Sequence, residues 1–391
     1  MMEIDLSQVR ADHIGSLVRP AKLKEVFTRY DRGRAAREEL LQAQDEAIRD
    51  VVRKQEAHGL PVVTDGEFRR HSFQESFSEC VTGFDVPANV SLYYDRRDLN
   101  RNPLERAEQD FDAAGPAIVT RRGAVERLRL TRNLPAEEFR FARGVARTPA
   151  KVTLVGPDRI AQRFKWESSE HVYRDLDDFV AHVVEIERGM IAELVQAGCK
   201  YIQIDAPGYT AYVDRISLDR MKARGEDPER NFQRSIEADN ALIAGFSGVT
   251  FGLHICRGNA RTVDRVTGKL VPQWHREGSY DAIAERLFHS LRHQRLLLEY
   301  DSERAGGFEP LRFVPKDKVI VLGLVSTKSS DMESAEDLKQ RIDQASKFLP
   351  LDQLALSPQC GFGGIDSKVL SEEQMWRKLD TVVETAREVW R

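Results

Sequence analysis

His254 and Cys256 stand two residues apart in VTFGLHIC (249–256), a run whose apolar and β-branched residues read as a strand. Residues two apart on a strand point to the same face, so the imidazole and the thiol project together. Both are good ligands for zinc. Cys360, in QLALSPQCG (353–361), offers a third ligand, and Glu299, in RLLLEYD (295–301), offers a fourth. Taken alone, the pair also fits a buried structural His and Cys. The other two donors, each at a strand end, bring a metal level with that plainer reading. Cys199, in AGCK at a helix end, reads instead as a small packing residue. Cys80 lies in a long polar segment and has no comparable company.

The elements that must position these groups follow from alternation. Short apolar runs ending in polar residues occur at 10–16, 60–67, 151–158, 201–208, 249–256, 295–301, 318–328 and 353–361. Their apolar stretches are nearly continuous, as expected for parallel strands buried on both faces. Between them lie stretches with apolar residues at helical spacing, over 37–59, 173–198, 334–349 and 371–390. The first two end in Gly59 and Gly198, plausible stops. The last two open with Ser334/Asp337 and Ser371/Gln374, capping pairs.

Eight β units alternating with helices predict a (β/α)8 TIM barrel, α/β in class, as a single domain over 1–391. An open doubly wound sheet is the runner-up, but no glycine-rich phosphate motif follows the first strand. Two segments exceed one β–loop–α unit, 80–148 and 257–279, and read as rim insertions. In a barrel the site lies at the C-terminal strand ends. Those ends carry His13 to Ser16, Asp65 to Glu67, Asp158, Asp205, His254, Cys256, Glu299, Asp301, Lys328 and Cys360. Each also has a plainer reading: Asp205 as a turn cap, Glu67 as a rim charge, Ser16 as a helix cap, Lys328 as a lysine reaching water. The aromatic cluster Phe164, Trp166 and Tyr173 reads first as packing.

Composition sets limits. The chain has 391 residues, 59 Lys+Arg against 63 Asp+Glu, for a formal charge of −4, so no basic excess points to nucleic acid. No apolar run nears the roughly 20 residues that span a bilayer. MMEIDLSQVRADH lacks the basic-then-apolar pattern of a secretory signal, and four cysteines make no disulfide framework. The expectation is a soluble cytoplasmic enzyme that meets neither membrane nor nucleic acid.

The stretches ADHIGS, TDGEFRR, QIDAPGY, LHICRGN, LLLEYD, LGLVSTK and LSPQCGF, in that order over nearly the whole chain, resemble the cobalamin-independent methionine synthase family, specifically its catalytic C-terminal half. The resemblance implies a (β/α)8 barrel holding Zn2+ through His254, Cys256, Glu299 and Cys360. It implies that Ser16, Glu67 and Asp205 hold the amino-acid part of homocysteine. It also brings departures. Two-barrel members carry an N-terminal barrel that helps hold folate polyglutamate, and 391 residues leave no room for one. Where the family's seventh strand ends in a histidine, this chain offers Lys328. Where the family stacks a tryptophan on the pterin, it has Arg163 beside Phe164.

The expected chemistry is therefore zinc-dependent alkyl transfer to a small-molecule thiol, homocysteine first, from an unidentified methyl or alkyl donor. Two cysteinates and a carboxylate make an anionic site, which keeps a bound thiolate electron-rich, whereas hydrolases favour neutral ligands. Asp205 and Lys328 are the candidates to serve the leaving group. Two other readings compete. One is epoxide opening by a coenzyme M-type thiol, whose sulfonate would need arginines such as Arg69, Arg70 and Arg257. The other is a barrel that binds zinc or a thiol without turnover.

Overall fold

A computed structural model describes residues 5–85, 122–259, 261–263, 270–272, 276–363 and 369–390. Ten strands are formed among the described residues: β1 Val81–Phe84, β2 Ala124–Leu130, β3 Lys151–Val155, β4 Tyr201–Asp205, β5 Thr250–Ile255, β6 Arg261–Val263, β7 Leu270–Pro272, β8 Arg295–Glu299, β9 Val319–Val325 and β10 Leu354–Pro358. Six pair in parallel in the order β10-β9-β8-β5-β4-β3. Residues of β3, β4, β8, β9 and β10 are buried along their whole length, which is why their sequences are apolar without alternation.

The first two expected strands contribute single bridges rather than ladders. Ala11 pairs with Leu356 of β10, and Val63 pairs with Ala150 beside β3, both in parallel. Thr64 Oγ1 donates to Gly15 O at 2.7 Å and Leu17 N to Gly66 O at 3.2 Å, which joins these two segments and closes the ring. The sequence cause is visible at Gly15 (φ 142°) and Gly66 (φ 73°), which leave extended geometry after only a few residues. Eight strand positions around one ring are the TIM-barrel-like fold that the alternation predicted.

The helices follow the predicted stretches with trimmed ends: Arg37–Ala57, Leu176–Gln196, Ala335–Ser346 and Glu372–Val389. Ser371 and Gln374 form a complete capping box. Ser334 Oγ accepts from Asp337 N at 3.0 Å. Of the 80–148 segment, 86–121 lies outside the described residues. Its described part is the antiparallel pair β1–β2 followed by the helix Leu134–Val145. That helix packs on β3 and on the helices Arg37–Ala57 and Leu176–Gln196, so it belongs to the barrel's outer layer rather than to the rim. The 257–279 segment contains the short pair β6–β7, and 260, 264–269 and 273–275 lie outside the described residues.

The N-terminal end of the barrel is plugged by charge. Asp12, fully buried, accepts from Lys151 Nζ (2.7 Å), Tyr201 OH (2.7 Å) and Arg295 Nη2 (3.1 Å). Burial opposes its ionisation, but Lys151 and Arg295 outweigh that and hold its carboxyl well below the usual range. Lys151 also donates to Gln203 Oε1 at 3.0 Å, and Gln203 Nε2 donates to Asp205 Oδ1 at 2.8 Å. A chain of hydrogen bonds thus runs from the barrel floor up to the mouth.

Candidate functional site

His254, Cys256 and Cys360 come together at the C-terminal strand ends, with one ligand atom of each lying within 4.8 Å of the others. The imidazole is fixed by its position opposite Leu297, whose carbonyl lies 3.3 Å from Nδ1. That contact leaves Nε2 facing the two thiols. Nε2 is buried and has no hydrogen-bond partner, a costly state for an ordinary core histidine. The two sulfurs stand 3.7 Å apart. The hydrogen bond from Cys360 leads in lowering the Cys256 thiol well below its usual range, with His254 adding to it against burial. The same bond raises Cys360.

Glu299 falls outside this three-residue group, although it lies at the predicted strand end. Its Oε2 accepts from Arg257 N at 2.6 Å, and its Oε1 accepts from Arg304 Nη2 and from Lys328 Nζ (3.2 Å). Burial opposes its charge, but Lys328, Arg304 and Arg257 hold the carboxyl down at about 2. Lys328 shares its ammonium with Asp301 Oδ2 at 2.7 Å, and its side chain is 15% exposed. The lysine is thus tied to two carboxylates and does not reach freely into water.

The residues implied for an amino acid gather beside the same group. Asp205 is the register partner of His254 on the adjacent strand. Burial pushes its carboxyl up to about 7, with His254 opposing and Glu67 adding to the rise. Glu67 is buried at a left-handed φ of 60°, strained for a residue with a Cβ. The strain is held by Asp65 Oδ1, which accepts from Glu67 N, and by Arg19, which donates to Glu67 O. Thr153 Oγ1 donates to Glu67 Oε1 at 2.8 Å. A Cβ on Gly15 would lie 2.8 Å from Thr153 Cγ2 and 3.1 Å from Glu67 Oε1, so glycine lets the Ser16 turn approach Glu67. A Cβ on Gly361 would meet Ser16 Oγ at 2.0 Å, which places that hydroxyl beside the turn after Cys360.

Other expectations resolve plainly. Cys80 and Cys199 are buried away from the group, and burial pushes each thiol up to about 12. The aromatic cluster is packing: Phe164 stacks on Phe179 at 3.6 Å, and Tyr173 meets both rings edge-on. Of the arginines available to a sulfonate, Arg70 grips Glu138 and Arg69 pairs with Asp45. Arg257 holds the carbonyls of Arg276 and Gly278 and the Tyr280 hydroxyl. Residues that the sequence reading missed include Arg304 on Glu299 and Gln203 under Asp205. Asn259, whose Nδ2 donates to Thr327 Oγ1 (2.8 Å) and whose Oδ1 accepts from Gln359 (2.7 Å), also escaped it. Asn259 and Gln203 were legible as parts of the quoted LHICRGN and QIDAPGY; Arg304 carried no such signal. Among the described residues, no helix is long and apolar enough to cross a membrane.

Comparison with known proteins places the chain in a family. Residues 10–259 and 298–388 match the family described as cobalamin-independent synthase, catalytic domain. The uncharacterized protein YxjH of Bacillus subtilis (strain 168) is 34% identical, over 98% of this chain and 95% of its own. The methionine synthase of Saccharolobus solfataricus is 26% identical, over 96% and 93%. A putative vitamin-B12 independent methionine synthase from Listeria monocytogenes superposes with a TM-score of 0.71 at 25% identity, covering 98% of both chains. A B12-independent methionine synthase from Shewanella sp. W3-18-1, solved with selenomethionine, shares the fold with a TM-score of 0.69 at 20% identity and the same coverage. The arrangement of site residues at the strand ends and the match over most of the chain lead to one conclusion: this chain belongs to the catalytic-domain family of the cobalamin-independent methionine synthases.

Proposed function

We propose that the protein is a zinc-dependent thiol methyltransferase that makes methionine from homocysteine. One observation carries the metal. Two sulfurs each about 2.3 Å from a tetrahedral zinc stand about 3.8 Å apart, and Cys256 and Cys360 are already 3.7 Å apart with the unpartnered His254 Nε2 facing them. Glu299 is the fourth candidate ligand. Its grip by Arg304 and Lys328 makes it the ligand most readily exchanged for a substrate sulfur.

A free thiol has a pKa of about 8.5 and is mostly protonated at neutral pH. Bound zinc supplies the deprotonation that turns the substrate sulfur into a nucleophile. The chain's own residues do the rest. Glu67 and Asp205 offer carboxylates to the amino-acid ammonium, and Ser16 stands near its backbone groups. Gln203 orients Asp205 from below. Lys328 and Arg304 fix Glu299, so the charge beside the sulfur is set before substrate arrives.

The test is X-ray absorption on zinc-loaded protein. Adding homocysteine is expected to add one sulfur scatterer at about 2.3 Å, and turnover with a panel of methyl donors is expected to yield methionine by mass spectrometry. An unchanged shell with homocysteine, alongside a new sulfur with 2-mercaptoethanesulfonate, would move the reading to thiol-dependent epoxide opening.

Lys328→Met separates positioning from metal retention. Arg304 and the Arg257 N–H remain on Glu299, so zinc content should stay stoichiometric. Turnover should fall about 10- to 100-fold, the usual range for losing one charged hydrogen bond. Loss of zinc with the lysine would show that Lys328 stabilises the metal site itself.

A further inference from the structure

Arg159 is 1% exposed, on the short helix Pro157–Gln162 that follows β3. Its Nη1 donates to Gln162 Oε1 (3.2 Å) and its Nη2 to Gln74 Oε1 (2.8 Å), and both acceptors are neutral amides. Its Nε has no partner. Among the described residues no carboxylate lies within ion-pair distance of it. Asp158, next in sequence, is engaged by Ser235 Oγ (2.7 Å) and Gln162 Nε2 (2.8 Å).

Several other buried arginines are treated differently, although Arg257 is likewise held by carbonyls and a tyrosine hydroxyl. Arg70 has Glu138, Arg295 has Asp12, and Arg304 has Glu299. Nearby Arg122 and Arg163 share one carboxylate, Glu75. Burial, Arg276 and Arg163 all press on the Arg159 guanidinium and lower it well below its usual range. A buried cation that lacks a counter-ion is costly, and such sites are commonly where a ligand supplies the missing charge.

We propose that Arg159 is an oxyanion-binding residue of the barrel mouth, receiving a carboxylate, sulfonate or phosphate carried by the thiol or by the alkyl donor. This rests on the thiol-alkylation reading for the identity of the two substrates. The location suits either. Arg159 lies at the same barrel end as the His254 group, on the helix that follows the C-terminal end of β3. Its partner Gln162, with Asp158 and Arg276, lines a cavity of about 740 Å³ that also exposes Trp166 and Tyr212. A guanidinium presents donors in a planar fork that matches planar or tetrahedral oxyanions.

The test needs no turnover. Sulfate is titrated calorimetrically into wild type, Arg159→Met, Arg159→Gln and Arg159→Lys, each in a buffer without oxyanions. Wild type should bind sulfate, the Met and Gln variants about 10- to 100-fold more weakly, and Lys in between. Without anions, Arg159→Met should melt no lower than wild type, because it removes an uncompensated buried charge. Repeating the titration with saturating homocysteine separates the sources. If sulfate binding is abolished, the thiol's carboxylate occupies Arg159; if sulfate still binds, the site serves the donor. 3-Aminopropane-1-thiol, homocysteine without its carboxylate, should leave sulfate binding intact in both cases. Equal sulfate affinity in wild type and the Met variant, no binding to wild type, or a much lower melting temperature for the Met variant would each overturn the proposal. Zinc content and methionine formation are read separately, so failure of the methyltransferase reading is distinguishable from failure of this one.

Discussion

Cys256→Ser and Cys360→Ser should each purify without stoichiometric zinc, and neither should form methionine at a measurable rate. Metal analysis after dialysis checks the first outcome and mass spectrometry the second. The expectation follows from the 3.7 Å spacing of the two sulfurs and from the unpartnered His254 Nε2 beside them. A serine hydroxyl keeps its proton at neutral pH and is a poor zinc ligand, so each substitution removes an anionic donor from a three-residue group. Cys199→Ser is the control. Its thiol donates weakly to Tyr201 O at 3.4 Å, and burial holds it up at about 12, so it offers no thiolate. Zinc retained in both ligand variants, or lost in the control, would sink the assignment.

The same cysteines show what a sequence can reveal about such a site. The His-x-Cys spacing is legible because a two-residue period is local, and β5 is long enough to enforce it. Cys360 is legible only once eight β units are recognised, since 104 residues separate it from Cys256. Glu299 shows the limit. Its position at a strand end is correct, but Arg304 and Lys328 reach it from other segments, and nothing in RLLLEYD announces them. The helix Leu134–Val145 was absorbed into a polar insertion because the arginine- and aspartate-rich stretch before it masks its apolar spacing. The first two strands were read too long because runs such as LPVV look like full strands, whereas the backbone makes only single bridges at Ala11 and Val63 and has turned by Gly15 and Gly66. Arg159 was invisible for a different reason. An arginine's lack of a counter-ion is a property of its surroundings, and these come from the loop after the second strand and from its own helix.

Asp12→Asn should destabilise the protein by about 3–5 kcal/mol, the usual range for removing one partner from a buried ion pair. Urea denaturation of the metal-free protein, with an unchanged denaturant slope, would measure it. Among the described residues Asp12 is the single carboxylate that accepts from both Lys151 and Arg295, and all three residues are sealed from water. Burial alone already lowers the Lys151 ammonium, and Asp12 works against that shift. With asparagine in its place, two cations would face each other with no anion between them. Asp12→Asn combined with Lys151→Met should recover part of the loss, because one of the stranded charges leaves with the lysine. The floor also bears on the mouth: Lys151 holds Gln203, and Gln203 holds Asp205. The double variant should therefore regain stability yet bind homocysteine more weakly than wild type, since Gln203 has lost its anchor. A loss below about 1 kcal/mol for Asp12→Asn, the level of an exposed pair, would mean that the charges at the barrel floor find other partners and that Asp205 does not depend on them.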